Sequence, residues 1–337
     1  GMLLKEQGNL VQALDYHDQS RQLCEQLAPE SSDMATSCFS IANVMLLQGE
    51  YLGALDLFQQ ARELEAKVAN GKPSLEVAAI DNGIAAVHQT RCEYTKALAL
   101  HQQSLATRKA MAGKDSLDMA ASCNNLGELL QEMGRLEEAL NLHHQDLAIT
   151  ERLAPNSVGM AITYKNIGNV YREKGHLEKA LGLFEKALGL LEKLAPNSIV
   201  LAQVLIGIGS IHRQQNRLER AVDCFVRGSS LLQSPHLGLL RTNPTYICLA
   251  LREGEARYRS GDFHGALDCA NDVLDRVPDS CWGLCLRVEA LQSIGEDEDH
   301  NMAKEISLDR PIQTLERLFS EESRNLHYHA LERKRFA

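Results

Sequence analysis

The sequence repeats itself about every 42 residues, and this period is the feature that most restricts its fold. Each copy has a glycine, or a residue in its place, followed five residues later by an Ala-Leu or Ala-Val pair. The anchor alanines of these pairs are Ala13, Ala54, Ala97, Ala139, Ala180, Ala221 and Ala266, with separations of 41, 43, 42, 41, 41 and 45 residues. Such a short unit cannot bury its own apolar face, so the period predicts a stack of similar units.

Each unit is predicted to contain two helices. In residues 157–194, apolar side chains recur at three- and four-residue steps on both sides of Gly175. Gly175 predicts the end of the first helix, because glycine readily adopts the left-handed conformation found after a helix C-terminus. The joints between units contain prolines, which cannot continue a helix, and serines, which are common N-caps, at Pro155, Pro196, Ser157 and Ser198.

These residues resemble the tetratricopeptide repeat. The turn glycine, the alanine, the aromatic and the late small residue of that family fall at Gly175, Ala180, Phe184 and Ala187. Its small residue in the first helix falls at Ala42, Ala85, Gly127, Gly168, Gly209 and Gly254. The period and the Leu-Ala-Pro joint resemble the roughly 42-residue variety of kinesin light chains. The stretches around Tyr16-His17 and 142–147 are also similar to spindle-orientation adaptors with GoLoco motifs.

The resemblance implies an all-α fold. It implies a right-handed superhelix of about seven to eight helical hairpins, whose first helices line a concave groove. We expect residues 1–232 to form the array with the long period and residues 233–295 to form further units with 34-residue spacing. Residues 296–337 are predicted to be capping helices and a tail. Residues 2–7 look like the end of a first helix, so we expect either a longer array or a lone second helix in repeat one.

Composition excludes several classes of function. The formal charge of −10 argues against a nucleic-acid binder, and no apolar stretch is long enough for a membrane span. Nine cysteines without a disulfide framework favour a reducing, cytoplasmic setting. Gly207-Ile208-Gly209 lies within a predicted helix, and no other nucleotide or catalytic motif is present, so we expect no cofactor and no enzyme activity.

Histidines and cysteines are the residues most suggestive of chemistry. His17, His101 and His143 each follow an anchor alanine by four residues, where other units have Phe58, Phe184 and Phe225. We therefore predict that these histidines pack in an aromatic slot. Cys281 and Cys285 flank apolar residues of one helix and lack a second pair, so no metal site is predicted.

The first helices are predicted to present a peptide-binding surface. Counting from each small residue gives the inward positions Asn43, Asn125, Glu128, Gln131, Lys165, Asn166, Asn169, Arg172, Arg213 and Arg252. Asparagine is a poor helix former, but its amide can both donate to and accept from an extended peptide. The alternative is that these asparagines are solvated or bond to neighbouring helices. The basic side chains between Lys165 and Arg252 favour an acidic or carboxylate-bearing segment.

The leading hypothesis is a non-catalytic adaptor that binds a peptide segment of a partner protein in the groove. One alternative is a sensor or regulatory region of a larger enzyme or signalling protein. The other is a structural scaffold that associates with itself, so the oligomeric state stays open. An ordinary chaperone carboxylate clamp is not predicted, because Gly207 and Cys248 stand where a clamp needs asparagine and lysine.

Overall fold

A computed structural model describes residues 4, 9–233, 235–237, 243–278 and 280–297. In these residues the chain forms α-helices, one 3₁₀ turn at Pro235–Leu237 and no strand, so the predicted all-α fold is confirmed. The helices are α1 Leu10–Leu27, α2 Ser32–Gln48, α3 Tyr51–Val68, α4 Leu75–Thr90, α5 Tyr94–Met111, α6 Leu117–Glu132, α7 Leu136–Leu153, α8 Val158–Glu173, α9 Leu177–Leu194, α10 Ile199–Gln214, α11 Leu218–Leu232, α12 Pro244–Arg259, α13 Phe263–Arg276 and α14 Cys281–Asp297.

The helices pack as successive hairpins. Paired contacts join α2 to α3, α4 to α5, α6 to α7, α8 to α9 and α12 to α13, and each hairpin also contacts a helix of its neighbour. Contacts divide the chain into two compact units, which we describe separately. Unit 1 contains the chain as far as Val204 together with the turn Pro235–Leu237; unit 2 contains Leu205–Gln233 and the described residues from Asn243 onward.

Two predicted features lie largely outside the described residues: the helix end expected in residues 2–7, of which only residue 4 is described, and the C-terminal capping helices. The long-period pattern ends with α11 at Leu232, and the next helix begins at Pro244. The predicted capping helices and tail, 296–337, lie outside the described residues except for 296 and 297, where α14 ends. The predicted boundaries at 232/233 and 295/296 therefore remain predictions. No helix in the described part of the chain is both long and apolar enough to traverse a bilayer.

Small residues let the two helices of a hairpin approach closely. All seven anchor alanines are fully buried. A Cβ atom added at Gly127, Gly168 or Gly209 would lie 2.6, 3.2 or 2.6 Å from the ring of the slot residue in the second helix, which is His143, Phe184 or Phe225. The slot residue thus packs directly on the small residue. His101 and His143 occupy the slot with 1% and 0% exposure, as predicted, whereas His17 is half-buried.

The turn inside each hairpin uses the left-handed backbone conformation. Gly49, Gly134, Gly175 and Gly261 have φ of 96°, 77°, 79° and 87°. Two other turns keep this conformation without glycine, with Cys92 at φ 58° and Asn216 at φ 56°. Because the Cβ of an L-residue crowds its own carbonyl in this region, the backbone is strained at Cys92 and less so at Asn216.

Cys92→Gly is therefore expected to raise the free energy of unfolding by about 0.5–1 kcal/mol, since strain relief exceeds the added flexibility of the unfolded chain. Asn216→Gly should raise it less, because asparagine tolerates this conformation. Urea denaturation followed by circular dichroism measures both changes. Cys92→Ala keeps the Cβ and is the control, and an equal gain from Cys92→Ala would contradict the assigned strain.

Serine caps begin the first helices at regular intervals. The side chains of Ser31, Ser74, Ser116 and Ser157 accept hydrogen bonds from the backbone N–H three residues later. Ser198 does the same for Leu201 at 3.2 Å. The predicted caps at Ser157 and Ser198 are confirmed. Each first helix between Ser32 and Gln214 therefore begins with the same kind of serine cap.

Candidate functional site

The first helices of consecutive repeats lie side by side. In unit 1, α2 contacts α4, α4 contacts α6 and α6 contacts α8; in unit 2, α12 contacts α14. Polar side chains bridge these neighbours, and most bonded pairs lie 38 to 42 residues apart in sequence. We call the bridges in each unit its polar ladder.

Asn166 is the centre of the ladder in unit 1. It is 2% exposed on α8. Its amide nitrogen donates to Asn124 Oδ1 at 2.7 Å and to Glu128 Oε1 at 2.6 Å, both on α6. Both amide protons are used by α6, so Asn166 fixes the position of the Glu128 carboxylate.

Lys165 extends the ladder in the other direction. Its ammonium donates to Gln203 Oε1 at 3.1 Å and lies 3.6 Å from Glu128 Oε1. Only 11% of its side chain is exposed, whereas 37% of the Glu128 side chain is exposed. The carboxylate at the surface is therefore held between a buried amide and a nearly buried ammonium.

A second bridge lies one helical turn further along. Gln131 Nε2 donates to Glu173 Oε1 at 2.6 Å. Arg172 Nη2 lies 4.0 Å from the same oxygen, and its side chain is 14% exposed. Asn43, in contrast, donates to the Phe39 carbonyl of its own helix at 2.8 Å. Asn125 and Asn169 are half-buried on α6 and α8.

Unit 2 has its own polar ladder. Arg213 pairs with Glu255, which also forms an ion pair with Arg259 at 2.7 Å. Arg252 is 6% exposed and donates to Ser210 Oγ at 3.2 Å and to Cys248 Sγ at 3.3 Å. The cations predicted to receive a carboxylate are thus already placed beside internal acceptors.

A buried network in unit 1 includes His101, one of the slot histidines. His101 Nδ1 lies 2.8 Å from Asn82 Oδ1, and Asn82 Nδ2 donates to Ser122 Oγ at 3.3 Å. Arg108 also donates to Ser122, at 3.3 Å, and to the Asp118 carbonyl at 2.9 Å. Burial lowers the pKa of His101 to about 4, so this imidazole is neutral at physiological pH.

The slot histidine His143 is on the same helix as a buried carboxylate, Asp146. Burial lowers the pKa of His143 to about 4. The described residues provide no hydrogen-bond partner for either ring nitrogen. On the same helix, Asp146 accepts from Thr150 at 2.8 Å and from Thr163 at 2.6 Å, and burial raises its pKa. Asp146 thus connects α7 to α8 through Thr163.

Sequence reasoning missed several ladder members, namely Asn82, Asn124, Ser122 and Gln203. A uniform step of 42 residues from Asn166 leads to Asn124 and then to Asn82. Aligning each repeat on its small residue hid this step, because the spacing of the small residues changes from 42 to 41 between Gly127 and Gly168. No such repeated spacing in the sequence points to Gln203.

Metal ligation finds no support in the described residues. No group of three or more histidine, cysteine, aspartate or glutamate side chains converges there. Burial raises the pKa of Cys123 to about 11 and that of Cys269 to about 12, so these thiols stay protonated.

Comparison with known proteins agrees with this architecture. The family model for the tetratricopeptide repeat matches residues 1–65, 76–152, 118–193 and 159–234. These matches cover more than half of the chain, which therefore belongs to the tetratricopeptide repeat family. A search of curated proteins finds no match.

Solved structures show the same fold at low identity. The Cut9 and Hcn1 hetero-tetramer of the APC/C matches with a TM-score of 0.62 and 15% identity over 86% of this chain and 47% of that one. BtubC (BKLC) from P. vanneervenii matches with a TM-score of 0.50 and 19% identity over 66% of this chain and 90% of that one. A putative kinesin light chain from Podosopora anserina has a TM-score of 0.44 and 16% identity over 60% of this chain and 96% of that one. At these identities the first two structures show likeness of fold alone, and no conclusion is drawn from the third.

Proposed function

We propose that the chain is a non-catalytic scaffold that binds a peptide segment of a partner protein on its first-helix face. Tetratricopeptide repeat proteins generally mediate protein–protein interaction. The observation that supports the proposal most is the polar ladder, which places amide, carboxylate and cationic groups in fixed positions along adjacent helices. Groups held in place by neighbouring helices lose little entropy when an extended peptide bonds to them.

An acidic or carboxylate-bearing segment suits this face best. In unit 1, Lys165 lies within 3.6 Å of Glu128, and in unit 2 Arg213 pairs with Glu255. Both glutamates are 37% exposed, so each can turn into solvent while a ligand carboxylate takes its place beside the cation. The cation keeps a partner throughout the exchange, which avoids leaving a buried charge unpaired.

The test begins with short random peptides selected on the wild-type protein and measured by fluorescence polarisation. We expect the selected peptides to be rich in aspartate and glutamate. Lys165→Ala is expected to weaken them about tenfold by removing the cation that receives the ligand carboxylate, and Arg213→Ala is expected to do the same for peptides bound to unit 2.

Glu185→Ala is the matched control, because Glu185 is exposed on the second helix α9 and lies outside the ladder. It should leave the affinity unchanged. Equal affinity of the wild type, Lys165→Ala and Arg213→Ala for every selected peptide would remove the first-helix face from the mechanism.

A further inference from the structure

One edge of unit 1 carries a regular row of exposed apolar side chains. The second helices α1, α3, α5, α7 and α9 each end in a large apolar residue that is exposed. The exposed fractions are 82, 44, 51, 47 and 42% for Leu27, Val68, Met111, Leu153 and Leu194. Each lies fourteen residues after an anchor alanine, so the five occupy the same place in successive repeats. We call them the joint row, since a joint between repeats follows each one.

The last turn of a helix gives no local reason for an apolar residue. Basic residues are favoured there, because they complement the helix dipole and the free carbonyl groups. The opposite ends of α3, α5, α7 and α9 have the polar N-cap residues Glu50, Glu93, Arg135 and His176. A single exposed apolar side chain is ordinary, but the same choice in five consecutive repeats indicates a binding surface.

The joint row is confined to unit 1. In unit 2, the second helix α11 is shorter, and its last residue, Leu232, is 4% exposed. An apolar residue that ends a second helix can therefore be buried by its own chain. The five residues of the joint row are not, so their exposure is a property of the long-period repeats in unit 1.

Ion pairs show that neighbouring joints lie side by side. Lys67 Nζ, at the end of α3, lies 3.9 Å from Glu30 Oε1 in the joint after α1. Arg152 Nη2, at the end of α7, lies 3.2 Å from Asp115 Oδ1 in the joint after α5. All four side chains are more than half exposed. The joint row therefore continues from repeat to repeat along one edge, and charges of both signs lie beside it.

The regular spacing favours a second copy of this chain as the partner. An apolar row matches another surface at several points only if the apolar groups of that surface have the same spacing. The joint row of a second copy has this spacing by construction. An anionic lipid surface would require an excess of basic side chains, whereas cations and carboxylates are mixed here. Mixed charges suit a symmetric interface, in which the same surface meets itself.

We propose that the joint row is the contact surface of a two-fold symmetric homodimer, in which the row of one copy packs against the row of the other. Packing buries the exposed part of each apolar side chain, which is the main source of affinity. Lys67, Arg152 and their carboxylate partners form the polar rim of this interface. The joint row shares no residue with either polar ladder, so the proposal is independent of peptide binding on the first-helix face.

Analytical ultracentrifugation of the full chain over a range of concentrations tests the proposal. We expect the wild type to pass from monomer to dimer as its concentration rises. The double variant Met111→Lys with Leu153→Lys introduces two ammonium groups from each copy into the contact. It is expected to weaken the dimer about a hundredfold. Lysine in the last turn of a helix favours the helix, so the fold should be kept, as circular dichroism can verify.

Leu52→Lys is the matched control. Leu52 is 71% exposed, but it is the second residue of α3 and lies at the opposite end of that helix from Val68. This variant should leave the dimer affinity unchanged. Hydrogen exchange locates the contact independently, because the joints 28–31, 112–116 and 154–157 should exchange more slowly in the dimer than in the monomer. The turns 49–50 and 134–135 should exchange equally in both.

Three results would overturn the proposal. These are a wild type that stays monomeric at every concentration, a dimer that the double variant leaves equally stable, or a dimer that Leu52→Lys weakens as much as the double variant does. A monomeric wild type that sediments with vesicles of phosphatidylcholine and phosphatidylserine, and loses this binding in the double variant, would reject the second copy and indicate a lipid surface. The affinity of unit 1 for acidic peptides should be the same in the double variant and in the wild type.

Discussion

Phenylalanine in place of His143 is expected to remove a large part of the acid sensitivity of this fold. His143 is fully buried with a pKa of about 4, whereas an unfolded histidine titrates near 6.5. Between these two values the unfolded chain binds a proton that the folded chain excludes. The neutral ring therefore contributes its full stability above about pH 6.5, and this contribution decreases as the pH falls towards 4. At pH 5 the free energy of unfolding is expected to be about 2 kcal/mol lower than at neutral pH on account of His143 alone.

The contribution of His143 is best measured by comparing the loss of unfolding free energy on acidification between the wild type and His143→Phe. The raised pKa of Asp146 has the opposite sign, because its folded form binds a proton more readily and gains stability on acidification. Urea denaturation of the wild type and of His143→Phe, measured at pH 7.5 and pH 5, cancels this contribution. We expect the wild type to lose about 2 kcal/mol more than the variant between these pH values.

His101→Phe is the companion variant. In the wild type, the His101 pKa of about 4 predicts the same loss of stability as the pH falls, but the His101 ring also bonds to Asn82. We expect His101→Phe to gain acid resistance while losing about 1 kcal/mol at pH 7.5 through the unpaired Asn82 oxygen. Parallel pH curves for the wild type and both variants would show that the slot histidines do not control acid stability.

Leucine at Gly209 is expected to lower the free energy of unfolding by about 2–3 kcal/mol. A Cβ added at Gly209 already lies 2.6 Å from the Phe225 ring, and the ring is fully buried, so it has no space into which to move. The larger side chain must push α10 away from α11 within unit 2.

Gly189→Leu is the matched control for this prediction. Gly189 is also in a helix interior, but it is exposed and an added Cβ meets nothing within 4 Å. Leucine there is expected to raise stability by about 0.5–1 kcal/mol through helix propensity. Equilibrium urea denaturation compares the two, and a similar effect of both variants would show that close packing at Gly209 is not responsible.

The architecture could be predicted from sequence because its determinants are local and repeated. Seven anchor alanines, a turn residue five places before each one and a serine in successive joints fix the helix limits. Even the departures from glycine at Cys92 and Asn216 kept the backbone conformation of the turn. A repeated pattern shows where the main chain turns, since each copy supports the others.

The polar partners could be predicted only in part, because they depend on distances between helices. Glu128, Gln131 and Lys165 were identified from their register on the first helices. Their partners Gln203 and Asn124 were not, because a side chain's reach across a helix interface depends on rotamers and on one-residue changes of period. Whether these residues contact a peptide stays a prediction.

The bridge formed by Asn166, Glu128 and Lys165 has a mechanical consequence. Apolar surfaces tolerate sliding, since their attraction depends weakly on direction, whereas hydrogen bonds hold only in one alignment. Cross-links between α6, α8 and Gln203 therefore resist shear of one hairpin against the next. A force applied along unit 1 should first separate those neighbouring first helices that no such bond connects. The stiffness of the stack therefore varies from repeat to repeat.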